Sequence, residues 1–203
     1  IGFSSNNPEN ALSHVLVPHG ASNNHYQVEA AANTALESGS KVELQNVTAR
    51  HSGAYGLYAE PRTALPSFSR NTFADNADAP MSIRAPLLDV PDAASTYDPD
   101  SDPHVEVRGT YVSKDLSIAA LNVPYRHIKG DKQVTELYGS NKTITIAAGA
   151  TFEFAAGTGL KVTDNGTALV AQGTDTDPIM MTGVEASKGF WRGLGFYSNN
   201  TKN

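Results

Sequence analysis

The chain has 203 residues, a formal charge of −6, 18% charged residues and no cysteine. That length suits one domain or two small ones and is ample for a buried core. The acidic balance argues against a nucleic-acid partner, no run of about 18 apolar residues is present to span a membrane, and the lack of cysteine excludes disulfides, thiolate metal sites and cysteine nucleophiles.

Taken in chain order, the sequence offers little helix. Residues 12–17 (LSHVLV) read as a strand. Residues 26–38 (YQVEAAANTALES) form the one stretch that suits a short helix, although Asn33-Thr34-Ala35-Leu36 reads equally as a strand. Strand-like runs recur at 41–49, 55–59, 68–74, 80–85 and 104–109. They return at 142–147, 151–154, 159–163, 167–172, 178–182 and 191–196, each bounded by turn residues. So many short strands without intervening helices speak against an α/β fold. A chain that opens on Ile1 rather than Met is expected to be a processed product or a fragment.

Two levels of repetition are visible. Residues 194–203 (LGFYSNNTKN) align without gaps on residues 1–10 (IGFSSNNPEN), and from Gly2 onward six of the nine pairs are identical. Gly2 and Gly195 thus mark the opening of a long unit and of its successor, 193 positions on. Within that unit, residues 12–19 match 44–51 at an offset of 32. Residues 44–52 match 69–77 at 25, bringing Asn46 onto Asn71, and residues 57–59 match 83–85 at 26. Steps of this size, made of strands and turns, suit one coil of a parallel β-helix, in which stacking buries a core that no single coil can bury alone. Asn46 and Asn71 are then expected to form a side-chain ladder along the axis. Leu44, Val47, Leu57, Phe73, Ile83, Ile144, Ile146, Phe152, Leu160 and Val162 are expected to face inward.

Three further stretches carry a family resemblance. Leu121–Tyr125 (LNVPY) precedes a T-I-x-I-x-x-G-x-T-x-x-F coil at 143–154, further stretches follow at 157–162, 169–174 and 177–183, and Gly189-Phe190-Trp191-Arg192-Gly193-Leu194 closes as G-x-W-x-G-L. In this order the chain resembles the right-handed parallel β-helix proteins of bacteria, secreted or surface-attached and pectate-lyase-like in architecture. The polar, low-charge composition has the same texture. The resemblance implies an all-β, right-handed parallel β-helix of roughly eight coils with long loops, located outside the cell. It also implies that Asn-rich coils follow the T-I-x-I coils, whereas here they come first, as if the chain ran from the middle of one unit into the next. The family hosts lyases, hydrolases, adhesins and structural proteins, so it does not define an activity.

Several constellations bear on chemistry. Asp98, Asp100 and Asp102 place carboxylates at alternate positions, a spacing that suits a calcium ion, although the glycine and distal glutamate of an EF-hand loop are missing. The six histidines show no metal-binding spacing, but His19 and His51 fall at matching coil positions and are expected to stack. Glu43, Glu106 and Glu153 lie on strands without forming the pair that a glycosidase requires. Arg50, Arg70 and Arg84 make a basic spot of the kind a lyase would use, and Tyr55, Tyr58, Phe190 and Trp191 are candidates for stacking on sugars. The expected role is a non-enzymatic structural β-helix unit of an extracellular fibre, stalk or adhesin, joined end to end through Gly2, Phe3, Asn6, Asn7, Gly195, Phe196, Asn199 and Asn200. Its expected partners are copies of itself or adjacent tandem repeats, and surface polysaccharide. The alternative is a glycan-binding module or a polysaccharide lyase or hydrolase on the same scaffold.

Overall fold

A computed structural model describes residues 1–21, 29–97 and 102–201. The chain is an all-β parallel solenoid whose only helical element among these residues is a 3₁₀ turn at Ala85–Leu87. It divides into two compact units, Ile1–Ile83 with Asp92–Val105 and Arg84–Pro91 with Glu106–Asn203.

In the first unit each turn contributes three short strands to three faces. The first turn comprises β1 (Gly2–Phe3), β2 (Ala11–Ser13) and β3 (Leu16–Pro18); the second β4 (Ala32–Leu36), β5 (Glu43–Gln45) and β6 (Thr48–Arg50). The third comprises β7 (Tyr55–Ala59), β8 (Phe68–Ser69) and β9 (Thr72–Ala74); β10 (Met81–Arg84) and β11 (Thr96–Tyr97) follow. All pairings are parallel. β1, β4, β7 and β10 share one face, β2, β5 and β8 a second, and β3, β6, β9 and β11 a third.

The run 12–17, expected as a single strand, is two strands joined at a sharp bend, and so are 41–49 and 68–74. His14, Asn46 and Arg70 occupy the bend with φ between 53° and 56°, and His19, His51 and Asp75 do the same at the following corner. Left-handed backbone breaks a strand and turns it onto the next face, and Asn, Asp and His tolerate it better than most residues. Residues 32–36 are a strand rather than a helix, as one of the two readings had it. All five residues are buried there, the polar Asn33 and Thr34 as well as Ala32, Ala35 and Leu36, as suits a strand covered on both sides.

The second unit has the same plan. Its strands are β12 (Val105–Arg108), β13 (Tyr111–Val112), β14 (Leu116–Ile118), β15 (Tyr125–Ile128), β16 (Val134–Leu137) and β17 (Thr143–Ile146). Then come β18 (Thr151–Phe154), β19 (Gly159–Val162), β20 (Ala168–Ala171), β21 (Met180–Gly183) and β22 (Leu194–Phe196). β12, β15, β18 and β21 form one face, β13, β16, β19 and β22 the next, and β14, β17 and β20 the third. Three complete turns close within each unit. The solenoid therefore has about six turns, fewer than the roughly eight expected, because long loops absorb chain that coil-length arithmetic assigns to strands.

Strand alternation sets the core. In β17, β18 and β19, Ile144, Ile146, Phe152, Phe154, Leu160 and Val162 are buried while the residues between them are more exposed. All ten side chains expected to face inward are buried. In-register stacking at the rung spacing of about 4.8 Å builds aromatic columns. Phe73 stacks on its register partner Tyr97 at 6.0 Å and on Phe68 of its own turn at 6.0 Å, and Tyr125 stacks on Phe152 at 5.2 Å. His127 stacks on Phe154 at 5.1 Å, and Phe154 on Trp191 at 4.4 Å.

Candidate functional site

The offset that pairs β5 and β6 with β8 and β9 is 24, not 25: Gln45 faces Ser69 and Thr48 faces Thr72. Asn46 therefore stands opposite Arg70, whose Nε donates to Asn46 Oδ1 at 3.2 Å, and it lies at the left-handed bend outside the core. Asn71 follows the bend, and its side chain is buried inside. Its Oδ1 accepts from Val47 N–H at 3.0 Å, its Nδ2 donates to Leu44 O at 3.0 Å, and its own N–H donates to Ser95 Oγ at 2.9 Å. A polar column does run between turns, through Val47, Asn71 and Ser95 rather than through Asn46 and Asn71. Asn76 repeats the device five residues on, accepting from Ser52 N–H at 3.1 Å and donating to Ala49 O at 3.3 Å. The bend leaves a backbone N–H and C=O of the preceding turn without strand partners, and a buried amide supplies one acceptor and one donor in the required places. The match of 57–59 to 83–85 is corrected in the same way, since Leu57 faces Met81. The offset of 32 stands: Leu12 faces Leu44, Val17 faces Ala49, and the His19 and His51 rings stack at 4.8 Å and 11°.

Asp98 and Asp100, two of the three residues of the calcium expectation, lie outside the described residues, as does His25. Asp102 is exposed, and its carbonyl lies 2.8 Å from His104 Nδ1. Among the described residues no three of His, Asp, Glu or Cys cluster as metal ligands would.

The strand carboxylates are matched with cations or neutral groups. Glu43 faces Ala11, Glu136 faces Tyr111 and Lys161, and Glu153 faces Arg126 and Thr182. Glu153 Oε2 accepts from both Nε and Nη2 of Arg126, at 2.8 and 2.6 Å. Arg84 is buried and ion-paired with Asp131 at 2.7 Å. Tyr55 and Tyr58 pack with Ala32 and Ala35, and Trp191 covers Phe154. A Cβ on Gly183, which faces Phe154, would come within 3.2 Å of the Trp191 ring, so the glycine leaves room for the indole.

His127 is fully buried, and burial pushes its pKa down to about 3. Thr135 Oγ1 sits 3.3 Å from Nδ1, and the aromatic column surrounds the ring. The folded chain holds this ring neutral while the unfolded chain protonates it below its ordinary pKa of about 6.5. The unfolded state binds more protons between these two values, so the stability His127 allows is complete above about 6.5 and declines toward 3. The slope reaches about 1.4 kcal/mol per pH unit. Chemical denaturation across this range is expected to show that loss, and His127→Leu to flatten it by one group's worth.

The end rungs hold the remaining predicted residues. Gly2 and Phe3 face Ala35 and Leu36, and Gly195 and Phe196 face Lys161 and Val162. The corner after each is built alike: Asn7 N–H donates to Ser5 Oγ at 3.1 Å, and Asn200 N–H to Ser198 Oγ at 3.2 Å. Asn199 Oδ1 accepts from Gly166 N–H at 3.2 Å, Asn200 Nδ2 donates to Gly166 O, and Ser198 Oγ donates to Thr167 O at 2.7 Å. Gly166 is required there: its φ is +80°, and a Cβ would fall 2.4 Å from Asn141 Oδ1. Nine large apolar side chains are exposed among the described residues. Seven of them lie on or beside the first and last rungs: Ile1, Leu16, Met180, Val184, Leu194, Phe196 and Tyr197. The repeated decapeptide is legible in the sequence, whereas Met180 and Val184 are not, since they read as an ordinary strand and its flank.

A half-open groove of about 420 Å³ lies beside the last rung, lined by Glu136, Lys161, Arg192 and Tyr197 among others. Lys161 Nζ sits 5.0 Å from the Tyr197 ring centroid. No helix among the described residues is long and apolar enough to cross a membrane. No family model, curated protein or solved structure matches the chain.

Proposed function

We propose that this chain is a structural β-solenoid module that assembles end to end into an extracellular fibre, stalk or surface adhesin. The observation that carries the proposal is the concentration of exposed apolar side chains at the first and last rungs, a surface that a further turn stacked on either rung would cover. Each end rung also presents strand edges, and an uncovered edge is a template for another strand. The two end surfaces differ, so their contact is heterologous, and a heterologous contact that does not close makes a filament. The resemblance of its coil motifs to those of secreted bacterial β-helix proteins, and the low-charge, polar composition, support a location outside the cell. Electron microscopy of the purified chain at increasing concentration is the test. Unbranched filaments with the solenoid axis along the fibre are expected; isolated particles at every concentration would refute the reading.

A second reading is supported by the groove lined by Glu136, Lys161, Arg192 and Tyr197. Two cations beside an aromatic ring suit an acidic polysaccharide. Binding on an array of acidic glycans, abolished by Arg192→Ala together with Lys161→Ala, would favour this reading.

A further inference from the structure

The repeated decapeptide is seen with two different neighbours. Its N-terminal copy pairs with the turn that follows: Gly2 faces Ala35, Phe3 faces Leu36, and Ala35 N–H donates to Ile1 O at 2.8 Å. Lys41 N–H donates to Ser5 O at 3.0 Å at the adjoining corner. Its C-terminal copy pairs with the turn that precedes: Gly195 faces Lys161, Phe196 faces Val162, and Tyr197 N–H donates to Val162 O at 2.8 Å. The same strand-and-corner sequence thus shows its lower edge in use once and its upper edge in use once.

The two uses are compatible on one segment. Ile1 corresponds to Leu194 and Phe3 to Phe196, and both pairs continue inward columns, Leu194 next to Leu160, Phe196 next to Val162 and Phe3 next to Leu36. All four side chains are partly uncovered: Ile1 is 42% exposed and Phe196 47%. At the N-terminal corner, Ser5 Oγ accepts from Asn7 N–H and Asn7 Oδ1 accepts from Glu9 N–H. The Ser5 hydroxyl proton, Asn6 Oδ1 and the Asn7 side-chain NH₂ make no hydrogen bond to the described residues there. Their counterparts at 198, 199 and 200 are the groups that dock on Gly166 and Thr167.

We infer that copies of this chain join through one shared rung. Residues 1–8 of one copy take the place that residues 194–201 hold against β19 of the preceding copy, and keep their own pairing with β4. The face β13-β16-β19 of one copy then runs on as β4-β7-β10 of the next. Ser5 Oγ, Asn6 Oδ1 and Asn7 Nδ2 engage Thr167 O, Gly166 N–H and Gly166 O of the preceding copy. The partner is a second copy because only its decapeptide carries the sequence already seen in that position. This junction rests on the assembly reading above, and specifies it.

The test is a tandem protein in which residues 1–193 run directly into a second copy of residues 1–203. These 203 residues contain no cysteine, so introduced pairs report alone. One variant carries Lys161→Cys in the first copy and Gly2→Cys in the second; another carries Gly2→Cys and Ala35→Cys, both in the second copy. Lys161→Cys with Gly195→Cys in the single chain is the positive control, since these residues are register partners. Facing residues on neighbouring strands lie within disulfide reach. Both tandem variants are expected to oxidise as completely as the control, and Lys161→Cys with Asn10→Cys to remain reduced. Oxidation of only one tandem pair, or of neither while the control closes, overturns the shared rung. The outcome is independent of microscopy: filaments without these disulfides would leave the assembly reading standing and this junction refuted, and disulfides without filaments would do the reverse.

Discussion

Asn71→Ala is expected to destabilise the chain by about 2–5 kcal/mol, and Asn46→Gly to change its stability by less than about 0.5 kcal/mol. The two asparagines look alike in sequence but do different work. Asn71 is buried and pairs with Val47 N–H and Leu44 O, both inside the solenoid. Truncation strands one donor and one acceptor away from water, and each stranded group costs about 1–3 kcal/mol. Asn46 sits at a φ of 53° and makes one surface hydrogen bond from Arg70. Glycine accepts that φ without strain, which offsets the lost bond. Urea denaturation of both variants decides the matter. A comparable loss for the two would restore the Asn46–Asn71 pairing in place of the Val47–Asn71–Ser95 column.

Phe152→Ala is expected to cost about 3–5 kcal/mol, the range for emptying a large aromatic site in a packed core. For a chain of this size that corresponds to a fall in Tm of roughly 6–20 °C. Phe152 is fully buried, faces Tyr125 on one side and Met181 on the other, and has the Tyr125 ring stacked on it at 5.2 Å. Neighbouring rungs are held at backbone hydrogen-bond spacing, so they cannot collapse into the cavity. Thr145→Ala is the control: its side chain is exposed between the inward Ile144 and Ile146, and its Tm is expected to move by no more than about 2 °C. A thermal melt in which Phe152→Ala moves no further than Thr145→Ala would show that this column is not what holds the second unit.

The two substitutions also separate what the sequence determines from what tertiary structure decides. Alternation along 143–146, 151–154 and 159–162 is enough to say which side chains face inward, because successive residues of a strand point to opposite faces. The offset of 32 is legible because LSHVLVPH and LQNVTARH keep the same spacing between apolar positions and closing histidine. The decapeptide repeat is legible because ten contiguous residues carry it. The offset of 24 is not. Aligning Asn46 with Asn71 maximises identity, whereas the chain maximises backbone pairing over two strands and a bend, and a slip of one residue would turn every side chain of β8 and β9 to the wrong face.

Tyr111–Val112, Leu116–Ile118 and Val134–Leu137 were equally hidden. They are two to four residues long, too short to show a period, and they are strands only because a neighbouring rung offers them a register. The same holds for the candidate assembly surfaces. The sequence alone gives the likeness of 194–203 to 1–10. Only the three-dimensional structure shows one copy bonded on its lower edge and the other on its upper edge. Strand edges are satisfied by residues about one turn away in sequence, and no local pattern records which edge is left open.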